Sequence, residues 1–388
     1  MTNPRTIYLD YNATTPCDPR VVEGMLPYFT TRFANPSSVT HFPGRQAADA
    51  LETAREQVAG LLGASPKDVL FTSGATESNN LALYGVARAA REKGDPRRRI
   101  ITLPTEHKAV LEPCQDLANQ GFDVQYAPVD STGLLDLKGL AELLTGDTLL
   151  VSIQAANSEI GTLQPLDQIA QLVKETGAYL HCDATQAVGR VALDWQSTPI
   201  DLLSFSSHKI YGPKGAGALL ARRALRHGKL SPLSRGGGQE GKLRAGTQNV
   251  PAIVGFGLAC QILQTEAESE IQRMTELRDQ FEHDLKKALP QVSFNAHSQQ
   301  RLPNTSSVTV PGIDADALLA NLSGMALSLG SACNAGTLEP SYVLTTIGLS
   351  RADADATFRL SVGRPTTSEE IATATQEIIN TVSRIQLL

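Results

Sequence analysis

With 388 residues, 41% of them hydrophobic and 19% charged, the chain has the size and balance of a globular enzyme with room for two cores. The formal charge of −6 and the lack of a basic stripe argue against nucleic acid as a partner, and no apolar run reads as membrane-spanning. Five cysteines (Cys17, Cys114, Cys182, Cys260, Cys333) are widely separated with no Cys-x-x-Cys pair, which favours reduced thiols over a disulfide framework or an intrinsic metal site.

The start Met1-Thr2-Asn3-Pro4-Arg5 lacks the basic-then-apolar pattern of a signal peptide, so no export signal and no membrane contact are expected. A cytoplasmic setting is the expectation, with an organelle after loss of a targeting segment left open. Asp10 and Asn12 lie in an extended entry segment. Asp18-Pro19 reads as an N-cap with proline at the first helical position, opening a short helix to about Phe29. Residues 34–41 have turn composition. Ala47, Leu51, Ala54, Val58 and Leu61 recur at helical spacing, and Gly63 stops that helix.

From Asp68 to Arg222, strand patterns at 68–72, 99–103, 122–127, 149–155, 178–183, 201–206 and 215–221 alternate with helical ones at 76–91, 107–120, 136–144 and 165–176. This alternation predicts a mainly parallel seven-stranded α/β sheet covered by helices on both faces. The last two strands have no helix between them, which allows one to run antiparallel. A glycine-rich bridge, 235–247, leads to a helix from Pro251 to Leu289, long enough to join two domains. Strands at 306–310, 325–329 and 357–362 with intervening helices predict a smaller C-terminal α/β domain, and Thr367-x-x-Glu370 is a capping box for the last helix. The expected division is 15–258 for the large domain, with 1–14 and 259–388 forming the small one.

The chemistry centres on Ser206-Ser207-His208-Lys209, after the apolar run Ile200-Asp201-Leu202-Leu203. A lysine in such a turn is ordinarily a surface charge; desolvated between strands, it becomes an amine that attacks carbonyls. Its partners upstream favour the second reading. Asp183 ends the run Ala178–Cys182, where a carboxylate is costly unless paired with positive charge. Ser73-Gly74-Ala75-Thr76 puts backbone N–H groups and a hydroxyl at a helix start, which suits a phosphate. His107 follows a strand and has a flat ring to stack. All four stand at strand ends, where open α/β sheets collect their active-site residues.

The segments Ser-Gly-Ala-Thr-Glu-Ser-Asn-Asn (73–80), Thr-Glu-His-Lys-Ala-Val (105–110), Asp-Ala-Thr-Gln-Ala-Val-Gly (183–189) and Ser-His-Lys-Ile-Tyr-Gly-Pro-Lys-Gly (207–215) resemble those of the cysteine desulfurases, fold-type I pyridoxal-phosphate enzymes of the class V aminotransferase group. The resemblance runs from Tyr8 to the strand holding Arg359. Cys333, in Gly330-Ser331-Ala332-Cys333, sits among small residues that bury little, whereas the other cysteines read as small buried hydrophobes. The loop alone leaves a reactive thiol and an inert surface cysteine open. Its similarity to the catalytic-cysteine segment of NifS/IscS-like desulfurases decides for the former. Arg359 alternates with Phe358 and Leu360 on its strand and matches the family's substrate-carboxylate arginine.

The resemblance implies the transferase fold of pyridoxal-phosphate enzymes and a homodimer that converts L-cysteine to L-alanine. It makes Lys209 the cofactor-linked lysine and Cys333 the nucleophile that takes the sulfur as a persulfide. Ala75, Thr76, Ser206, His208 and Thr247 (from the partner chain) would hold the phosphate. Asp183 would pair with the pyridine nitrogen, Gln186 with the ring oxygen, His107 would stack and move protons, Asn157 would contact cofactor and substrate, and Arg359 would position the substrate. A sulfur-acceptor or iron–sulfur scaffold protein is the implied partner, with Cys333 as a transient cluster ligand. Leu329 replaces a more typical serine, Asn334-Ala335-Gly336 follows Cys333 where hydroxyl residues are common, Ser158 stands where a second asparagine is usual, and no scaffold-docking tail follows the last helix. Another pyridoxal-phosphate lyase, acting on selenocysteine or cystine, is the alternative, as is a non-catalytic scaffold protein retaining the fold.

Overall fold

The computed structural model describes residues 6–329 and 339–387; the expectations for Cys333 and its neighbours fall outside the described residues. Strand β1 (Ile7–Tyr8) opens the chain. The large sheet is then built from β2 (Val69–Thr72), β3 (Arg99–Thr102), β4 (Asp123–Tyr126), β5 (Thr148–Gln154), β6 (Tyr179–Asp183), β7 (Leu202–Ser206) and β8 (Gly217–Ala221). Its order is β2-β8-β7-β6-β5-β3-β4, and β8 alone runs antiparallel to its neighbours. The reason is the connection. A crossover between parallel strands needs a dozen residues or more, and the lysine turn between β7 and β8 is too short to make one.

Alternate residues of one strand enter different cores. Leu150, Leu202 and Leu219 pack on one face with the helix Ala75–Glu92. Val151, Leu203 and Leu220 pack on the other with the helices Phe42–Leu61 and Val250–Ala288. Both faces are therefore covered, which is why these strands are buried at every position and mostly apolar rather than alternating.

The helix Val250–Ala288 carries the chain between cores: Val250 to Leu263 contribute to the large one, and Met274 to Leu285 to a second with Leu9, Phe358 and Ile378. One stretch of it is, against the sequence expectation, apolar enough by length and composition to cross a membrane; more than half of that stretch is buried against the rest of the chain. Phe281 is fully enclosed in the second core, and truncation to alanine there costs about 3–5 kcal/mol.

The second core lies against an antiparallel sheet of β9 (Ser293–Phe294), β10 (Thr305–Thr309), β12 (Ser328–Leu329) and β13 (Thr357–Ser361), ordered β12-β13-β10-β9; β11 (Met325–Ala326) pairs instead with β1. Two expectations are corrected here. The single strand at 325–329 divides at Leu327, because its halves hydrogen-bond to different partners, β1 and β13. The helix expected to run to Phe29 ends at Met25, and a second turn starts at Pro27, which has no N–H to continue the first. The capping boxes and stops otherwise follow the local signals: Thr367 and Glu370 cap each other's backbone, and Gly63 adopts a left-handed φ of 65° after the helix Phe42–Leu61.

Candidate active site

At the C-terminal ends of the large sheet's strands lies a cavity of about 580 Å³. Its lining brings together Ala75, Thr76, His107, Asp183, Gln186, Ser206, His208, Lys209 and, from the small sheet, Arg359. Two anticipated residues are not part of it. Asn157 is buried behind the wall, where its amide nitrogen donates to Thr105 O at 2.9 Å and its oxygen accepts from the Glu159 and Ile160 N–H groups. Thr247, expected to serve the partner chain's site, lies on an exposed stretch of the glycine-rich loop and does not line this cavity.

Lys209 follows β7 in a single 3-10 turn, Ser207–Lys209. Its Nζ donates to the backbone carbonyls of Asn12 and of Ala13 (2.8 Å for the latter). The amine is thus aimed by two carbonyls of the N-terminal segment, 197 and 196 positions away in sequence. Asp183, at the end of β6, accepts from Asn79 Nδ2 at 2.7 Å and from the Thr185 N–H at 3.0 Å. Asn79 sits on the inner face of the helix Ala75–Glu92, beside core residues Leu81 and Ala82. It is a site residue that sequence reasoning missed, although a polar residue on that face was a visible signal.

The helix Ala75–Glu92 begins at Gly74 with no side chain capping it, so its first N–H groups have no protein cap at the cavity. Glu77 folds away from them to accept the Ser73 N–H and pair with Arg244 of the glycine-rich loop at 2.9 Å. Gly217 has no room for a Cβ, which would meet Gly74 Cα at 2.6 Å, so β8 can pass directly beneath this turn. His208 adds a neutral ring: burial, then the charges of Lys209, Lys214 and Arg190, pull its pKa down to about 4.

His107 is the N-cap of the helix Lys108–Asn119, its Nδ1 accepting from the Ala109 N–H at 3.0 Å. A neutral His107 therefore carries its proton on Nε2. The residue before it, Glu106, is wholly buried; one oxygen accepts the Gln154 N–H at 2.6 Å and burial raises its pKa well above the usual carboxylate range. Tyr342 closes this side, donating its hydroxyl to Glu106 O at 2.5 Å.

Arg359 approaches from β13. Phe358 and Leu360 point into the second core, as strand alternation requires, leaving Arg359 on the cavity side. Its Nη1 donates to Ser158 O at 2.9 Å, its Nη2 pairs with Asp10 at 2.6 Å, and its buried Nε has no partner. Asp10 also escaped sequence reasoning, because nothing local marks a residue that acts across 349 positions.

A ring with a cationic nitrogen, an anionic phosphate and a carbonyl carbon fits this lining. Asp183 meets the first, the uncapped helix start with Thr76, Ser206 and His208 the second, and the Lys209 amine the third. Buried polar atoms without partners at Asn79 Oδ1 and Thr185 Oγ1, both on lining residues, leave hydrogen-bonding capacity for a polar ligand.

Comparison with known proteins agrees with this arrangement. The class-V aminotransferase family model matches residues 7–373. The chain belongs to that family, in its cysteine desulfurase branch. It is 43% identical over 382 residues to a cysteine desulfurase of Mus musculus, covering 98% of this chain and 82% of that one. It is 42% identical to the cysteine desulfurase IscS of Rickettsia rickettsii, covering 98% and 92%. Among solved structures, a NifS-like protein superposes with a TM-score of 0.90 at 38% identity, covering 97% of this chain and 99% of that one. A structure described as SspA in complex with cysteine does so with a TM-score of 0.81 at 40% identity, covering 92% and 99%.

Proposed function

We propose that this desulfurase-family chain takes sulfur from L-cysteine, leaving L-alanine and a persulfide on Cys333, with pyridoxal phosphate as its resident cofactor. The observation that carries the reading is the convergence of Lys209, Asp183, the uncapped helix start and Arg359 on one cavity. When bound, the cofactor supplies an electron sink for charge developing at the substrate's α-carbon. Asp183, held by Asn79 and the Thr185 N–H, would be the carboxylate that pairs with a protonated ring nitrogen. Lys209 Nζ takes the α-proton, and Arg359 orients the substrate carboxylate. His107, with its Nε2 proton, would stack on the ring and move protons. The Cys333 thiolate forms an S–S bond with the substrate sulfur as the substrate's C–S bond breaks, and the carbon skeleton leaves as alanine after protonation.

The same reading proposes a homodimer in which the 235–247 loop delivers Thr247 to the partner's phosphate site. Exposed Phe29, Phe33 and Phe42 supply apolar surface suited to such contact. It proposes the division into a large unit (15–258) and a small one (1–14 with 259–388). It also proposes a cytoplasmic setting, supported by four free thiols among the described residues, and a sulfur-acceptor or iron–sulfur scaffold protein as the recipient. The test is alanine formed from cysteine, with persulfide located by alkylation and mass spectrometry. Cys333→Ala should bind cofactor and cysteine yet lose nearly all alanine production. Normal alanine release from that variant would replace the desulfurase reading with a plain lyase.

A further inference from the structure

Arg190 is enclosed in the protein without a carboxylate partner among the described residues. A guanidinium in that position is costly unless its donors are satisfied. Burial lowers its pKa to about 10, so it still carries its charge at neutral pH, and the other titratable groups that bear on it are Tyr211, Arg359 and His208. Its Nη1 and Nη2 donate to carbonyl-type oxygens: Nη1 to the side-chain oxygen of Gln186 and to the Gln186 backbone O at 3.2 Å, Nη2 to Tyr11 O at 3.2 Å.

Those contacts have a directional consequence. With Gln186 Oε1 taken by Arg190, the amide cannot flip, and its nitrogen must face the other way. Gln186 Nε2 donates to Asn12 O at 3.0 Å and has a second hydrogen to offer, on a residue that lines the cavity. The adjoining Asn12 and Ala13 carbonyls are the ones that receive Lys209 Nζ. One buried cation therefore holds both an amide at the cavity and the backbone on which the amine is docked. Arg190 itself does not line the cavity.

We infer that Arg190 is a positioning residue: it fixes the Gln186 amide with its nitrogen toward the cofactor's ring oxygen and clamps Tyr11–Ala13 as the seat for Lys209. The inference rests on the pyridoxal-phosphate reading above. A flipped Gln186 would present an oxygen to the ring oxygen, two acceptors facing each other, and the cofactor's ionisation would change.

The experiment uses the cofactor-bound enzyme and its visible absorbance as a function of pH, with cofactor affinity and melting temperature measured alongside. Removing a nearby cation and its oriented amide favours the protonated chromophore, so Arg190→Met should move the titration midpoint upward by on the order of one pH unit. Cofactor affinity should fall about tenfold. Gln186→Ala should produce a shift of similar size, and Arg190→Met/Gln186→Ala no more than either alone, because the two side chains act as one unit. Arg190→Lys keeps the charge without the fork and should fall between wild type and Arg190→Met. An unchanged midpoint in folded Arg190→Met, or additive shifts in the double variant, overturns the inference. If Arg190→Met does not fold, Arg190→Lys decides: an upward shift that vanishes in the Gln186→Ala background supports it, and no shift overturns it. Absence of any visible band in wild-type protein supplied with pyridoxal phosphate overturns the cofactor reading, and this inference with it. A normal wild-type band with unaltered variants overturns this inference alone.

Discussion

On one side of the cavity, Asp183 and Ser206 end adjacent parallel strands, and Lys209 and His107 follow strand ends by a few residues. On the other, Arg359 is held by Asp10, 349 residues distant in sequence, and by the carbonyl of Ser158. Each member of the first wall ends or closely follows a strand of a sheet buried on both faces. The second is assembled from three remote stretches, and its orientation depends on their packing against one another. The difference bears on the proposed function: there the sheet wall would govern the cofactor chemistry, and the assembled wall the substrate's pose.

Replacing the reactive amine is the most severe way to break the first wall. Lys209→Ala should reduce alanine formation by about three orders of magnitude or more and abolish or replace the visible band of the cofactor-bound protein. If borohydride reduction and peptide mapping labelled a different lysine, the sheet wall would have been misassigned.

Arg359→Lys tests the second wall separately. Losing the planar fork should lower kcat/KM for cysteine about a hundredfold, mostly through KM, while the visible spectrum stays as in wild type. A spectral change as large as that of a sheet-wall variant would erase the distinction between the walls.

Asn79→Ala sharpens the comparison within the first wall. It removes the 2.7 Å hydrogen bond to Asp183 without touching the carboxylate. A hydrogen bond to a charged group contributes about 1.5–3 kcal/mol, so cofactor affinity or turnover should fall roughly ten- to a hundredfold. Full activity and affinity would show that Asp183 needs no such support.

The smallest effect concerns how the walls are tied together. Asp18 caps the helix Pro19–Met25 and pairs with Arg20 and with Arg364, which follows β13. The Arg20 hydrogen bond, ahead of the Arg364 charge, lowers its pKa from 3.8 to about 2. The folded state thus prefers the ionised form, and this stabilisation is full above about pH 4 and lost as pH falls toward 2. Asp18→Asn should flatten the fall in melting temperature across that window. An unchanged acid limb would mean that other carboxylates carry it.

The alternation of apolar runs with helical patterns determined the seven-stranded sheet without tertiary information, because strands buried on both faces read as largely apolar runs. Local capping chemistry likewise determined the last helix, whose Thr367–Glu370 box forms as read. Lys209, Asp183, His107 and the Ser73–Thr76 turn were legible because each ends or follows a strand, where parallel sheets place their ligands. The split at Pro27 was written locally and overlooked. The division of 325–329 was not, since it depends on β1 and β13 competing for its backbone. Only the tertiary structure brought Asn79 to Asp183, Asp10 to Arg359 and Arg190 to Gln186 and Tyr11, and only it saturated Asn157 behind the wall. The physical reason is that a strand's character is set by its own side chains. Satisfying a buried polar group takes a partner, and the fold supplies that partner from wherever the chain returns.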